Sequence, residues 1–327
     1  MTAITDTNES TIVVEQASGS MPRHHLVIFA LLLLLSLAAP FFLYPVFLMK
    51  VMCFALFACA LNLLLGFGGL LSFGHAAFFG SAAYVSAHAA RVWGLTPEVA
   101  IILGTLSAAV LGAVIGLLAI RRQGIYFAMV TLAFAQMVYF AALQAPFTGG
   151  EDGIQNVPRG DLFGAISMRS DFSLYFVVLV ITFGGLLAIY RIIHSPFGQV
   201  LKAIRENEPR AISLGYRVNS YKLTVFVLSA TFAGLAGATK AIVFQLASLT
   251  DVYWTMSGEV VLMVLLGGMG TVFGPLVGAA VIVTMQNYLA SFGAWVTIIQ
   301  GCIFVISVML FREGIVGVIA KWIRKPL

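Results

Sequence analysis

The sequence predicts an all-α integral membrane protein with roughly ten transmembrane helices, within a range of eight to ten. Of its 327 residues, 61% are hydrophobic and only 9% are charged. A soluble domain carries about 25% charged residues, so a soluble fold of this length would not cover its surface. In addition, the chain contains repeated apolar runs that are each about 20 residues long, the length that crosses the hydrocarbon core of a bilayer.

Ten spans are expected in chain order. They lie at residues 25–44, 46–65, 71–90, 99–120, 124–144, 173–191, 221–245, 257–270, 275–291 and 295–311. The third is rich in glycine and alanine and the eighth is short, so each is compatible with a re-entrant or broken helix. Residues 1–24 are polar and predict a disordered tail. The run that follows is longer than a signal-peptide core, which favours an uncleaved first span over a cleaved leader.

Lysine and arginine predict the orientation of the chain. With the N-terminus in the cytoplasm, the inner segments carry 13 of the 18 basic residues, while the outer segments carry three. The positive-inside rule therefore places both termini, the loop 194–220 and the basic tail 313–327 in the cytoplasm, and the loop 145–172 outside. Lys240 falls within a span, and we expect it to snorkel to the outer surface.

Several classes of function lack their sequence signature. The chain has no P-loop motif and no Cys/His spacing typical of a metal site. Its three cysteines, Cys53, Cys59 and Cys302, lie in apolar stretches and read as buried hydrophobic residues. Basic residues do not interleave with aromatics as in a nucleic-acid channel. We therefore predict no catalytic, cofactor or metal residue and no nucleic-acid partner. A transporter with this sequence uses an ion gradient or a partner ATPase.

Two glycine-rich segments interrupt the apolar runs, at 66–80 and 267–278. Paired breaks in the two halves of a transporter are typical of a substrate path between pseudo-repeats, although tight turns between packed spans explain them equally well. Polar and glycine residues near the breaks are the candidates for the translocation path: Asn62, Gly68, Ser72, His75, Glu259, Gly268 and Gly270, with His88 and Ser257 nearby.

The loop 194–220 predicts two short amphipathic helices. Ser195 is suited to cap the first, with Pro196 at its first position. The second starts at Asn207 and ends at Gly215, a natural C-terminal cap. Such an element is too small to fold alone and is typical of a surface that docks into a partner's groove, although a solvated connector is the plain alternative.

Four segments together resemble one family. They are PFGQVLKAIRENEPRAISLGY, LNLLLGFGGLLSFGHAAFFGSAAYVSA, TGGEDGIQNVP and VLLGGMGTVFGPLVGA. In this order they are similar to the LivM-type permease of branched-chain amino acid ABC importers, over roughly residues 45–312. The resemblance implies a bacterial inner-membrane subunit that pairs with a second, LivH-like permease. It also implies two cytoplasmic ATPases and a periplasmic binding protein as partners.

The resemblance further implies that the loop 194–220 couples the permease to an ATPase. The coupling stretch runs from Arg205 and Glu206 to Gly215, and Glu208, Ala211 and Gly215 match the family's pattern loosely. Branched-chain amino acids are the expected cargo, while urea, short amides and aromatic acids suit the same architecture. Two other classes remain open. An ion-coupled secondary transporter would need paired intramembrane carboxylates, of which only Glu259 is clear, and a membrane scaffold would leave the glycine breaks without a purpose.

Overall fold

A computed structural model describes residues 23–162, 164, 166–289 and 314–323, together with positions 293, 295, 298, 299, 301, 302, 305 and 309. The long helices are α1 (Arg23–Ala38), α2 (Pro45–Asn62), α3 (His75–Arg91), α4 (Pro97–Ala119), α5 (Ile125–Gln144), α6 (Asp171–His194), α9 (Val218–Phe244), α10 (Trp254–Gly267) and α11 (Gly274–Leu289). Two short helices, α7 (Pro196–Glu206) and α8 (Glu208–Ser213), connect α6 to α9. The last described helix is α12 (Gly314–Ile323).

The short elements lie between these helices. The strands are β1 (Ile154–Gln155), β2 (Asp161–Leu162), β3 (Ile166–Ser167) and β4 (Leu246–Ala247). β1 pairs antiparallel with β4, and β2 pairs antiparallel with β3. Single 3-10 turns occupy Ala39–Phe41, Pro146–Thr148, Gly150–Asp152 and Leu249–Asp251, and a π-helical turn, Leu63–Phe67, continues α2.

The prediction of a helical membrane protein is confirmed. Within the described part of the chain, five helical stretches are long and apolar enough to cross a membrane: Pro45–Phe67, Pro97–Ala119, Ile125–Gln144, Asp171–His194 and Val218–Phe244. Among the other predicted spans, α3 has 17 residues and starts only at His75, because residues 68–74 leave the helix. The eighth, α10, has 14 residues. The tenth, 295–311, and the tail 1–22 lie largely or wholly outside the described residues, so the count of ten stays a prediction.

Helix α2 lies at the centre of the bundle and packs against α9, α11, α6 and α10. A second layer forms where α3, α4 and α9 cross. Small residues bring these backbones together: a Cβ on Gly237 would lie 2.0 Å from the Phe79 carbonyl oxygen, and one on Gly234 would lie 2.3 Å from the Ala108 Cβ. Helices pack this closely in membranes because van der Waals contact replaces the hydrophobic effect between them.

The bundle has two distinct ends. We call the end that carries α7 and α8 the helix-pair end, and the other the opposite end. Helix α9 starts at the helix-pair end and finishes beside β4, which pairs with β1 of the loop 145–172. The loops 145–172 and 194–220 therefore lie at opposite ends of the bundle, as the predicted alternation of spans requires.

The expectation for Lys240 is wrong. Its ammonium does not snorkel outward but forms an ion pair with Asp251, with 2.6 Å between Nζ and Oδ2. Both side chains are buried. The 3-10 turn Leu249–Asp251 folds back over the end of α9 and supplies the carboxylate, so the lysine is satisfied inside the protein. The predicted tail 313–327 also contains regular structure, since α12 packs against α10 and α11.

Candidate functional site

Local sequence signals build the two short helices as the loop pattern predicts. The Ser195 hydroxyl accepts a hydrogen bond from the Gly198 N–H at 3.3 Å, which caps α7. The Asn207 side chain accepts one from the Arg210 N–H at 3.0 Å and caps α8. Gly215, with φ +85°, follows α8 in the left-handed conformation that glycine adopts at helix ends. We call α7 and α8 together the helix pair.

Three side chains of the helix pair contact the bundle. The Arg205 Nη1 donates a hydrogen bond to the Gly66 carbonyl oxygen at the end of α2. The Glu208 carboxylate accepts hydrogen bonds from Lys222 of α9, at 2.8 Å, and from Gln123, at 3.2 Å. The Lys202 ammonium lies 5.6 Å from the centre of the Phe67 ring, and burial lowers its pKa below the usual value. The helix pair is therefore tied to α2, α9 and the segment before α5.

Three large apolar side chains are exposed at and just after the end of α8, among charged residues that are also exposed. Ile212 is 58% exposed, Leu214 is 70% exposed and Tyr216 is 40% exposed. Beneath them, Ile204, Ala211 and Val218 form a small buried cluster. Large apolar residues exposed close together in the chain, beside charged residues, are typical of a protein interaction site. We call Ile212, Leu214 and Tyr216 the apolar face.

The predicted coupling residues therefore divide into two groups. Arg205 and Glu208 bond to the chain's own bundle, and Ala211 is buried within the helix pair. Glu206 and Gly215 are exposed. The sequence analysis missed the apolar face, although the signal was present: three large apolar residues stand among the charged and polar residues of the stretch 205–217.

The two glycine breaks meet at the helix-pair end, where the Asn62 side chain joins them. Its Nδ2 donates a hydrogen bond to the Thr271 carbonyl oxygen at 2.8 Å, and its Oδ1 accepts one from the Gly270 N–H at 2.9 Å. A Cβ on Gly66 would lie 2.6 Å from the Gly270 nitrogen. Asn62 thus satisfies the backbone of the second break from a position 208 residues away in the chain.

A continuous series of hydrogen bonds holds the first break in place. The Ser229 hydroxyl donates to the Ala60 carbonyl oxygen, so it accepts from His75 Nε2, which lies 2.7 Å away. His75 Nδ1 then accepts from the Ser72 hydroxyl at 3.2 Å, and that hydroxyl also accepts from the Gly74 N–H. This pattern describes a neutral histidine with its proton on Nε2. It links α2, α3 and α9.

The second break repeats part of this design. The Thr271 hydroxyl accepts a hydrogen bond from the Gly274 N–H at 3.0 Å, as the Ser72 hydroxyl does from Gly74. Gly69, Gly268 and Gly270 all have positive φ values, which allow the chain to turn sharply between helices. In both breaks a side-chain hydroxyl therefore bonds the N–H of a glycine at the start of the following helix, and backbone groups at membrane depth need such partners.

The path candidates do not form one cluster. Asn62, Gly68, Gly268 and Gly270 meet at the helix-pair end beside Arg205, which lines two open clefts of about 380 and 480 Å³. Ser72 and His75 lie deeper and are fully buried. Ser257 accepts a hydrogen bond from the Ala76 N–H at the start of α3.

The remaining two lie apart from this group. His88, near the end of α3, contacts the rings of Trp93 and Phe147. Glu259, in α10, bonds to Gln286 in α11. Both residues therefore lie toward the opposite end of the bundle.

Comparison with known proteins agrees with this architecture. Two proteins named high-affinity branched-chain amino acid transport system permease protein LivM, from Salmonella typhimurium and Escherichia coli, are each 29% identical over 287 residues, which cover 81% of this chain and 68% of theirs. The ribose import permease protein RbsC of Bacillus subtilis is 28% identical over 245 residues, covering 68% of this chain and 70% of its own. No solved structure matches.

A family model decides the assignment, because it covers most of the chain rather than a single motif. The model matches residues 43–308, which include both glycine breaks and the helix pair. The chain belongs to the family of branched-chain amino acid transport system permease components.

Proposed function

We propose that this chain is one permease of an ABC importer, that the helix pair docks a cytoplasmic ATPase, and that the cargo is a branched-chain amino acid. In this proposal a second, LivH-like permease completes the membrane path. A second ATPase serves that permease, and a periplasmic binding protein delivers the cargo. The chain lies in the bacterial inner membrane with both termini in the cytoplasm.

The docking proposal rests on one observation: the helix pair is bonded to the bundle on one side and exposes apolar residues on the other. Its inner side bonds to the bundle through Arg205 and Glu208. Its outer side presents the apolar face to the surroundings. A surface that moves under an ATPase needs both properties, because it must bind the partner and transmit its displacement to the spans. Membrane transporters switch between packed states by such rigid-body movements.

The glycine breaks are proposed as the inner end of the path. Asn62, Gly68, Gly268 and Gly270 stand where the helix pair touches α2, so a displacement of α7 reaches both breaks. Ser72 and His75 support the first break from within the bundle. In the proposed path, Glu259 lies nearer the entrance, at the opposite end.

The family and the LivM relatives support the proposed cargo. The ribose permease among the relatives makes a sugar the competing cargo, beside urea, short amides and aromatic acids. Uptake by the complete transporter in proteoliposomes, with its binding protein and ATP, separates these classes. Saturable leucine uptake that ribose and urea do not inhibit supports the proposal. Uptake driven by an ion gradient without ATP would contradict it.

Docking is tested with one charge placed on the apolar face. Leu214→Asp leaves no cavity in the core, because Leu214 already lies at the surface. The new carboxylate would lose its water when the apolar groove of a partner covers this position. An apolar anchor at the centre of an interface contributes about 2 kcal/mol or more, so ATPase binding weakens by about 30-fold or more. The matched control is Gln199→Asp, an exposed polar position on α7.

We expect the Gln199→Asp control to co-purify with the ATPase and to transport normally. Equal ATPase binding by Leu214→Asp and by the unmodified protein would refute docking at this face.

A further inference from the structure

Three polar side chains lie together on neighbouring helices near the opposite end: Lys50 of α2, Glu259 of α10 and Gln286 of α11. We call them the Lys50 cluster. Lys50 and Glu259 each stand five residues after the first residue of their helix, Pro45 and Trp254. At 1.5 Å per residue both lie about 7.5 Å inside the helix. The three helices pack against one another, so these side chains share one depth and one region.

The cluster is only partly closed by its own contacts. The Gln286 Nε2 donates a hydrogen bond to Glu259 Oε2 at 3.0 Å. Lys50 and Glu259 interact electrostatically, yet they are not in ion-pair contact. Among the described residues the ion pairs are Arg159–Asp171, Lys222–Glu208 and Lys240–Asp251. The ammonium of Lys50 therefore belongs to none of them.

Charged side chains at this depth are costly in a membrane. Charged groups within a transmembrane span usually pair with one another or line a solvated path. All three side chains of the Lys50 cluster are partly exposed rather than buried. The buried Lys240 adds to the positive potential at Lys50. In contrast, the buried Lys240 and Asp251 are closed in a direct ion pair.

We propose that the Lys50 cluster is a subsite for the zwitterionic head group of an α-amino acid on its way through the membrane. Lys50 Nζ donates hydrogen bonds to the ligand's carboxylate. Glu259 Oε1 and the Gln286 carbonyl oxygen, which accept no hydrogen bond from the described residues, accept from the ligand's ammonium. The inference rests on the proposed function and deepens it, because it assigns the amino-acid class to particular side chains.

The charges of the site and the ligand match. A zwitterion brings one charge of each sign, so the unpaired ammonium and the unpaired carboxylate are both neutralised without a net change in charge. A sugar or urea offers hydrogen bonds but no charge, and an organic acid offers only the carboxylate. An aliphatic side chain adds no polar group, so the apolar surroundings in α2, α10 and α11 accommodate it.

The test uses the complete transporter in proteoliposomes with its binding protein. Lys50→Met and Glu259→Gln remove one charge each while keeping similar length. We expect each to lower leucine uptake at least tenfold while the complex assembles and the binding protein still stimulates ATP hydrolysis. Lys50→Arg keeps the charge and should retain more uptake than Lys50→Met. Arg91→Met, which removes an exposed charge at the end of α3, is the matched control and should transport normally.

The outcomes separate the inference from the function on which it rests. If the unmodified transporter takes up leucine and both charge-removing variants equal it, the subsite is wrong and the importer stands. If the unmodified transporter takes up ribose or urea and no amino acid, the proposed cargo and the subsite both fall. If the variants lose ATPase stimulation as well as uptake, the residues act in assembly or coupling, and the subsite is again refuted.

Discussion

Replacement of Asp251 by asparagine tests the buried ion pair at the end of α9. The Asp251 carboxylate contacts the Lys240 ammonium and also accepts hydrogen bonds from the backbone N–H and the hydroxyl of Ser248. Asparagine keeps the size of the side chain and an oxygen that caps the turn. The substitution therefore removes the charge and little else, and Lys240 is left with an uncompensated ammonium.

The expected cost follows from the burial of both partners. The Lys240 side chain is 10% exposed and that of Asp251 is 4% exposed, so water does not replace the lost partner. Removal of one member of a buried pair lowers the free energy of unfolding by about 3–5 kcal/mol. Removal of both charges together, in Lys240→Met with Asp251→Asn, leaves no isolated charge and should restore most of this loss. The capping bond alone, removed in Ser248→Ala, contributes about 1 kcal/mol.

The chain carries its own reporters for the measurement. Cys53 and Cys59 are buried in α2, so they react with a fluorescent maleimide only after the bundle opens, whereas Cys302 is exposed and gives a constant background. Thermal unfolding in detergent, followed by this reaction, compares the two single variants and the double variant with the unmodified protein. A double variant less stable than Asp251→Asn would refute the account, since it would mean that the isolated lysine costs nothing.

Three further predictions concern the helix contacts. Gly237→Ala should destabilise the bundle, because its Cβ would lie 2.0 Å from a carbonyl oxygen, whereas Gly184→Ala meets nothing within 4 Å and should be neutral; the thiol-reaction melting curve measures both. Gly268→Leu should block transport, because Gly268 has φ +126° in the second break, and unimpaired uptake would favour a plain turn. Glu208→Lys places a second ammonium beside Lys222 and should uncouple ATP hydrolysis from uptake with the spans still inserted, whereas unchanged coupling would count against the helix pair as a lever.

Features that depend on neighbouring residues were predictable from the sequence. Continuous apolar runs predicted the long helices within a few residues of their observed ends, because burial in lipid dominates their free energy. The cap at Ser195 was predictable because a cap bonds to the backbone only three residues away. Asn207 was predicted to start the second helix, and it caps that helix in the structure.

Features that depend on distant residues were not predictable in this way. Asn62 reads as a polar path residue until the second break is seen to lie against it. Lys240 reads as a snorkelling lysine until the turn at Leu249–Asp251 folds back and supplies Asp251. The sequence does not show which side of α8 is exposed, because this depends on which of its faces packs against Ile204 and Val218. In each case a tertiary contact, rather than a local preference, decided the role of the residue.

The central position of α2 has a mechanical consequence. Gly66, near its end, accepts the hydrogen bond of Arg205, and Lys50 stands 16 residues earlier on the same rod. At 1.5 Å per residue the two points are about 24 Å apart. Because neighbouring helices enclose α2 along most of its length, it cannot bend freely between them. We therefore expect a displacement of Gly66 to tilt or shift α2 as a rigid body. The distance between Gly66 and Lys50 then sets how far Lys50 moves for a given displacement at the helix-pair end.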